Sequence, residues 1–294
     1  MTSPLAPLSL LAALCVATCD GPGSPFVSGG GSIASASYLD EALDPDNLFR
    51  WTPVDSGEVV DVWFEVLNAP SELPVGLQGI GLGPDAAADA VRRALNAWGA
   101  AVGVPLATHL AFHAEGQEVA VGHVAVVVSF VEGEGPLSGL VQLAYADPDS
   151  RLVGQVPMVI SVPPEGVTVS DLRALMLHEM GHALGILAPA PKNGHSSDPG
   201  DVMYPVARWQ ELSARDRVAM QELYAMEPNL LRADAGNAPG APGDGGADDG
   251  EGAGGASSGG LAVPDPRDLL AAALERVAVA SGDGPRCLGC AAER

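Results

Sequence analysis

The segment from Thr168 to Gly185 constrains this chain more than any other. Thr168, with Asp171 three residues on, has the spacing of a helix start, where side-chain oxygens satisfy open backbone N–H groups. Leu172, Leu175, Met176, Met180, Ala183, Leu184 and Leu187 then recur with the 3.6-residue period of a helix. Gly185, followed by Pro189 and Pro191, marks where that helix ends. Inside it stand His178, Glu179 and His182. Residues four apart share a helix side, so the two imidazoles project together and can bind one metal ion. Glu179 lies about 100° round the helix from His178, placed to meet a water beside the ion and not the ion itself. Zinc at such a site needs a third protein ligand and a water whose pKa falls toward about 7, leaving a carboxylate to take its proton.

The rest of the chain supplies one mid-sized domain with appendages. Of 294 residues, 47% are hydrophobic, enough for a sizeable core, while 37 Gly and 25 Pro keep much of the chain outside it. The β-branched and aromatic run 59–66 predicts a strand, and 84–102 a helix with Val91, Leu95, Trp98 and Val102 on one face. Further strands are expected over 110–113, 124–130, 140–145 and 156–162, separated mostly by Gly and Pro clusters. A last helix is capped by Ser213, with Asp216 three residues on, and runs to about Tyr224. This is an α+β pattern. The domain is expected over 48–226, preceded by a flexible tether over 20–47. Residues 227–262 read as a disordered Gly/Ala/Asp-rich linker, and 263–294 as a short helical tail ending in Cys287-x-x-Cys290.

Charge and termini narrow the setting. A formal net charge of -23 repels phosphate backbones and anionic head groups, which excludes nucleic acid as a partner. The apolar run 4–18 is short for a membrane span and sits where a signal peptide belongs, so 1–19 reads as an export signal. Val16-Ala17-Thr18-Cys19 resembles the lipobox of bacterial lipoproteins, with Thr18 departing from the small residue usual there. Either Cys19 carries lipid, the one route to a membrane, or an ordinary signal peptide is cleaved further on. The chain is expected outside the cytoplasm, secreted or held at the cell envelope, as a monomer. The core contains no cysteine; Cys287 and Cys290 suit a local disulfide in an oxidising compartment and are too few for a zinc site.

His178-Glu-Met-Gly-His182-Ala-Leu-Gly185, followed by His195-Ser-Ser-Asp-Pro-Gly-Asp-Val-Met203-Tyr204-Pro205, closely resembles the active site of the matrixins, a family of metzincin zinc peptidases. The likeness covers roughly 49–226; it is specific at the motif and weak elsewhere. It implies a zincin-like fold: a twisted, mixed five-stranded sheet with an active-site helix and a C-terminal helix. It implies a zinc endopeptidase with Glu179 as general base and His178, His182 and His195 as ligands of one Zn2+. Gly185 would permit the sharp turn, and Met203, Tyr204 and Pro205 would form the turn beneath the metal. Residues 139–146 would be the edge strand that binds extended protein or peptide substrates, through Leu140, Gln142 and Ala144. Arg208 would border the specificity pocket.

One departure bears on this reading. The family places its third histidine three residues after the glycine, and that position is Ala188. Nine residues separate Gly185 from His195, where the family has two. In one reading the insertion bulges out and returns His195 to the ligand position; the kept spacing from His195 to Met203 favours it. In the other the third ligand is lost, leaving a catalytically inactive zincin-like surface binding module, or Asp198 supplies an oxygen in its place. His109, His113 and His123 read as surface or strand residues without a second zinc. Asp147 and Asp149 give a Ca2+ site no real support. Family members are often held latent by a cysteine within a Pro-Arg-Cys triplet; here Pro285-Arg286-Cys287 stands at the other end, after a linker long enough to reach the cleft.

Overall fold

Strand β1 (Val60–Val66) shows how this sequence builds a sheet. Alternate residues of a strand share a face, and Val60, Val62, Phe64 and Val66 are all buried. On the opposite face Trp63 stacks on His109, with ring centroids 4.0 Å apart. The computed structural model describes residues 36–52, 60–66, 73–78, 84–103, 106–112, 124–145, 151–188, 192–232 and 286–287. The segment 1–35, His113, His123, Asp147, Asp149, Cys290 and most of the expected linker and tail lie outside those residues.

Strands β2 (Leu106–Phe112) and β3 (Ala125–Glu132) flank β1, both parallel to it. Strand β4 (Ser138–Val141) and the two-residue β5 (Ala144–Tyr145) precede the long β6 (Leu152–Val162). β6 runs parallel to β3 on one side and antiparallel to β4 on the other, giving the order β2-β1-β3-β6-β4. This is the mixed five-stranded sheet the resemblance implied. β5 and β7 (Leu231–Arg232) pair with β6 as well, and β8 (Arg286–Cys287) lies parallel to β4 on its outer side. Among the described residues no helix is long and apolar enough to cross a membrane.

Helices α1 (Leu39–Ala42) and α2 (Val75–Gln78) are single turns. α3 (Pro84–Val102) packs against both α4 (Val169–Ala183) and α5 (Ala214–Ala225), and α4 in turn touches β4 and β6. One continuous core joins the buried strand residues to Trp51, Trp98 and the apolar side chains of α4. Thr168 caps α4 by accepting from the Asp171 N–H, and Ser213 and Asp216 form a reciprocal capping box on α5.

Several details differ from the sequence reading. β2 starts at Leu106, four residues before the expected strand. The expected strand 140–145 is split into β4 and β5. Its break has a chemical cause: the Gln142 N–H donates to Pro157 O at 3.1 Å, but proline has no N–H to return, so the ladder lapses there. Residues 36–47, within the stretch read as tether, fold against the domain and bury Tyr38, Leu39, Ala42 and Leu43. Beyond Met226, the Asn229 and Leu230 N–H groups both donate to Leu48 O before β7 joins β6.

Candidate metal centre

α4 is buried along nearly its whole length, from Leu172 to Ala183, and His178, Glu179 and His182 are among its buried residues. Two indoles fasten it. Trp98 Nε1 donates to Leu177 O at 2.7 Å and Trp51 Nε1 to Ala183 O at 2.8 Å, one on each side of the two histidines. Gly181, between them, is where the neighbours come closest: a Cβ there would stand 2.4 Å from Met203 Sδ and 2.8 Å from Trp98 Cζ2. Met203 therefore packs directly beneath the helix.

After α4 the chain turns at Gly185, whose φ of 124° and whose approach to Phe49 O leave no room for a side chain. The inserted residues then return the chain to the site. Gly194 N–H donates to Ala42 O at 3.0 Å, and the Lys192 ammonium donates to Asp40 O, so α1 is the surface on which the insertion rests. His195, only 7% exposed, arrives beside the helix histidines. Ala188, half-buried, packs against the core. Asp198 instead caps its own turn by accepting from Gly200 N–H at 2.8 Å and meets Arg215 Nη1 at 3.3 Å.

The three imidazoles converge through one kind of atom. His178 Nε2 lies 3.1 Å from His182 Nε2 and 3.3 Å from His195 Nε2, and His182 Nε2 lies 3.2 Å from His195 Nε2. Each Nδ1 meets an oxygen: Val202 O at 2.7 Å for His178, Ile186 O at 2.5 Å for His182, Asn193 Oδ1 at 3.2 Å for His195. Carbonyl oxygens only accept, so each Nδ1 carries the hydrogen and each Nε2 presents a lone pair. Three lone pairs this close repel one another unless a cation lies between them. Ligands about 2.0–2.1 Å from a tetrahedral zinc stand about 3.3 Å apart, which is the triangle found. Burial holds all three imidazoles neutral: it drives the pKa of His178 down to about 4 and, with His178 beside it, that of His182 down to about 3. His195 is lowered as well, by burial and then by its two neighbours. The donor set suits zinc.

A polar network holds the loop side. Asp216, fully buried, accepts from Val202 N–H at 2.9 Å, Ser213 N–H at 2.8 Å and Tyr38 Oη at 2.8 Å. Val202 O is the acceptor for His178, so Asp216 reaches the metal site through one residue. Asp201 accepts from Ser196 Oγ at 2.5 Å, Ser213 Oγ at 2.7 Å and Arg215 Nη1 at 2.9 Å, which fixes the residue after His195. Glu41 adds Arg215 Nη2 at 3.2 Å and Ser197 Oγ at 2.8 Å. Desolvation and the Asp216 carboxylate raise the Tyr38 pKa well above its usual 10, so the hydroxyl stays a donor. Tyr38, Glu41 and Asp201 were not legible as site residues, and Asp216 was legible only as a helix cap.

Around this centre, Glu179 lies against the edge strand: a Cβ at Gly139 of β4 would stand 2.4 Å from its carboxyl carbon. Leu140 is buried against β6, while Gln142 and Ala144 are half-buried. Tyr204 and Pro205 are half-buried on the turn after Met203; Arg208 is exposed, as is Trp209, whose indole donates to Pro199 O at 2.7 Å. His109 lies exposed on β2 against Trp63; among the described residues His178, His182 and His195 form the one group able to hold a metal.

A mixed sheet whose strand β4 passes a helix bearing two of the clustered histidines and a carboxylate, with the third histidine after a glycine turn, is the arrangement that the resemblance to zincin-type peptidases implied. The family model described as Matrixin matches residues 146–225, from before β6 to the end of α5, and in that segment the chain is matrixin-like. No curated protein matches the chain.

Proposed function

We propose that this domain is a zinc-dependent endopeptidase acting on extended protein or peptide substrates. The observation that carries the reading is the meeting of three Nε2 lone pairs within 3.1–3.3 Å, two of them from the buried helix that also bears Glu179. His178, His182 and His195 would hold the zinc, which when bound supplies the Lewis acidity that polarises a peptide carbonyl and acidifies water. Glu179 accepts the proton of the attacking water and delivers it to the departing amine. The nearness of Glu179 to Gly139 puts that proton transfer beside β4, where a substrate held extended by main-chain hydrogen bonds would present its backbone. Leu140, Gln142 and Ala144 would line the bound peptide, and Arg208 its pocket. Met203, under Gly181, keeps the helix seated. The reading of the apolar segment 4–18 and Cys19 as an export signal supports an activity outside the cytoplasm.

The full chain should bind one zinc and cleave peptides. Glu179→Ala should keep the metal and lose about 10²–10⁴-fold in cleavage rate, the usual weight of a positioned general base. His195→Ala should lose tight zinc binding. A folded chain with neither zinc nor cleavage would leave the alternative, an inactive zincin-like binding surface. Cleavage surviving in Glu179→Ala would overturn the mechanism.

A further inference from the structure

We propose that the chain's own C-terminal segment occupies the substrate edge of β4, so that Arg286–Cys287 and an extended substrate compete for the same backbone groups. The inner edge of β4 is taken by β6, from Ser138 opposite Ser161 to Val141 opposite Met158. Its outer edge carries N–H and C=O groups that must be met by water or by one more strand. There β8 lies parallel, with Ser138 opposite Arg286 and Gly139 opposite Cys287. β8 also touches α4, the helix that carries the ligands. Gly139 is the β4 residue that stands against the Glu179 carboxyl. The tail thus crosses at the point where a scissile bond would have to lie.

Two paired residues are a weak ligand by themselves. Attachment changes this: a tethered segment competes at an effective concentration of order millimolar, while peptide substrates arrive dilute. Residues 233–285 are ample for the path, since a chain can span about 3.3 Å per residue. The outcome is reversible self-occupancy, which a tight-binding substrate displaces and a weak one does not. The pairing needs only backbone; its effect on cleavage rests on the peptidase reading above.

The test uses the zinc-loaded full chain and the variant Arg286→Pro/Cys287→Pro, which removes both backbone N–H donors of β8 without touching the domain. Amide exchange over 138–141 should be protected in the parent and at least about tenfold faster in the variant, with exchange in β3, β6 and α4 unchanged as the control for folding. On an extended peptide the variant should show a KM lower by several-fold with kcat unaltered, the mark of a competing occupant removed. Equal protection of 138–141 in the two chains would overturn the proposal. Changed protection with an unchanged KM would overturn the competition. Changed protection in a chain that cleaves nothing would uphold the pairing and count against the peptidase reading alone.

Discussion

Two of the three histidines are held by a helix and the third by a loop, and the two sides are built from different physics. On the helix side, His178 and His182 share a face by the repeat of α4 alone, and apolar packing with two indole hydrogen bonds keeps α4 in place. On the loop side, His195 comes at the end of an insertion, and buried carboxylates, Tyr38, Arg215 and the turn α1 set its course. The ligand triangle is nonetheless regular, all three sides between 3.1 and 3.3 Å. An inserted loop can therefore bring a histidine back to the other two if it is given a polar frame, and here part of that frame lies before the domain's first strand.

The comparison breaks most sharply at Asp216. Asp216→Ala leaves Val202 N–H, Ser213 N–H and the Tyr38 hydroxyl without their buried acceptor. Losing one partner of a buried charged network costs about 3–5 kcal/mol, and losing an outer support of a ligand costs about 10–100-fold in metal affinity. Urea unfolding and zinc competition titration should both move, the loop side being tied to His178 through Val202 O. The matching change on the helix side is Gly181→Ala, which drives a methyl into Met203 and Trp98. Overpacking of this kind costs about 1–3 kcal/mol. Unfolding should register it while the polar network round Asp201 stays intact, which hydroxyl and amide exchange at Ser196 would report. A Gly181→Ala chain as stable as the parent would show that Met203 has room to move.

This contrast also explains what could be read from the sequence. Periodicity showed α4, and with it the shared side of His178 and His182, because a helix writes its geometry into neighbouring residues. The spacing of His195 to Met203 pointed to His195 as the third histidine of the cluster even though Ala188 stands at the expected position. The break in the edge strand was signalled by Pro157, but only once its partner Gln142 was known. The frame was not legible, because Tyr38 meets Asp216 across 178 positions and Glu41 meets Arg215 across 174. Contacts of that range leave no repeat. Asp216 announced its capping role through Ser213, three residues away, while its bond to Val202 left no local trace.

Protons test whether the two sides, so differently held, present the metal with equivalent ligands. In the zinc-free chain burial depresses all three imidazoles, so the folded state resists protons that the unfolded chain accepts near pH 6.5. Stability is therefore full above about pH 6.5 and falls as pH drops toward the folded values, about 4 for His178 and about 3 for His182. Urea midpoints of the zinc-free chain between pH 7.5 and 4.5 should show this loss. His182→Ala and His195→Ala should each reduce the proton uptake on unfolding by about one at the acid end, helix and loop alike. A reduction confined to His182→Ala would mean that His195 is solvated without metal.

The smallest effect lies at the outer rim of the loop frame. Glu41 and Arg215 are 40% and 26% exposed and 3.2 Å apart, so water and salt screen them. Glu41→Gln should cost about 0.2–1 kcal/mol, with the difference from the parent vanishing in molar salt. The bond from Ser197 Oγ to Glu41 can persist to the amide oxygen, so zinc affinity should change little. Thermal unfolding at low and high salt reads the first expectation and zinc competition the second. A large, salt-independent loss of zinc would place Glu41 among the supports that matter as much as Asp216, and would carry the frame of His195 out to the surface of α1.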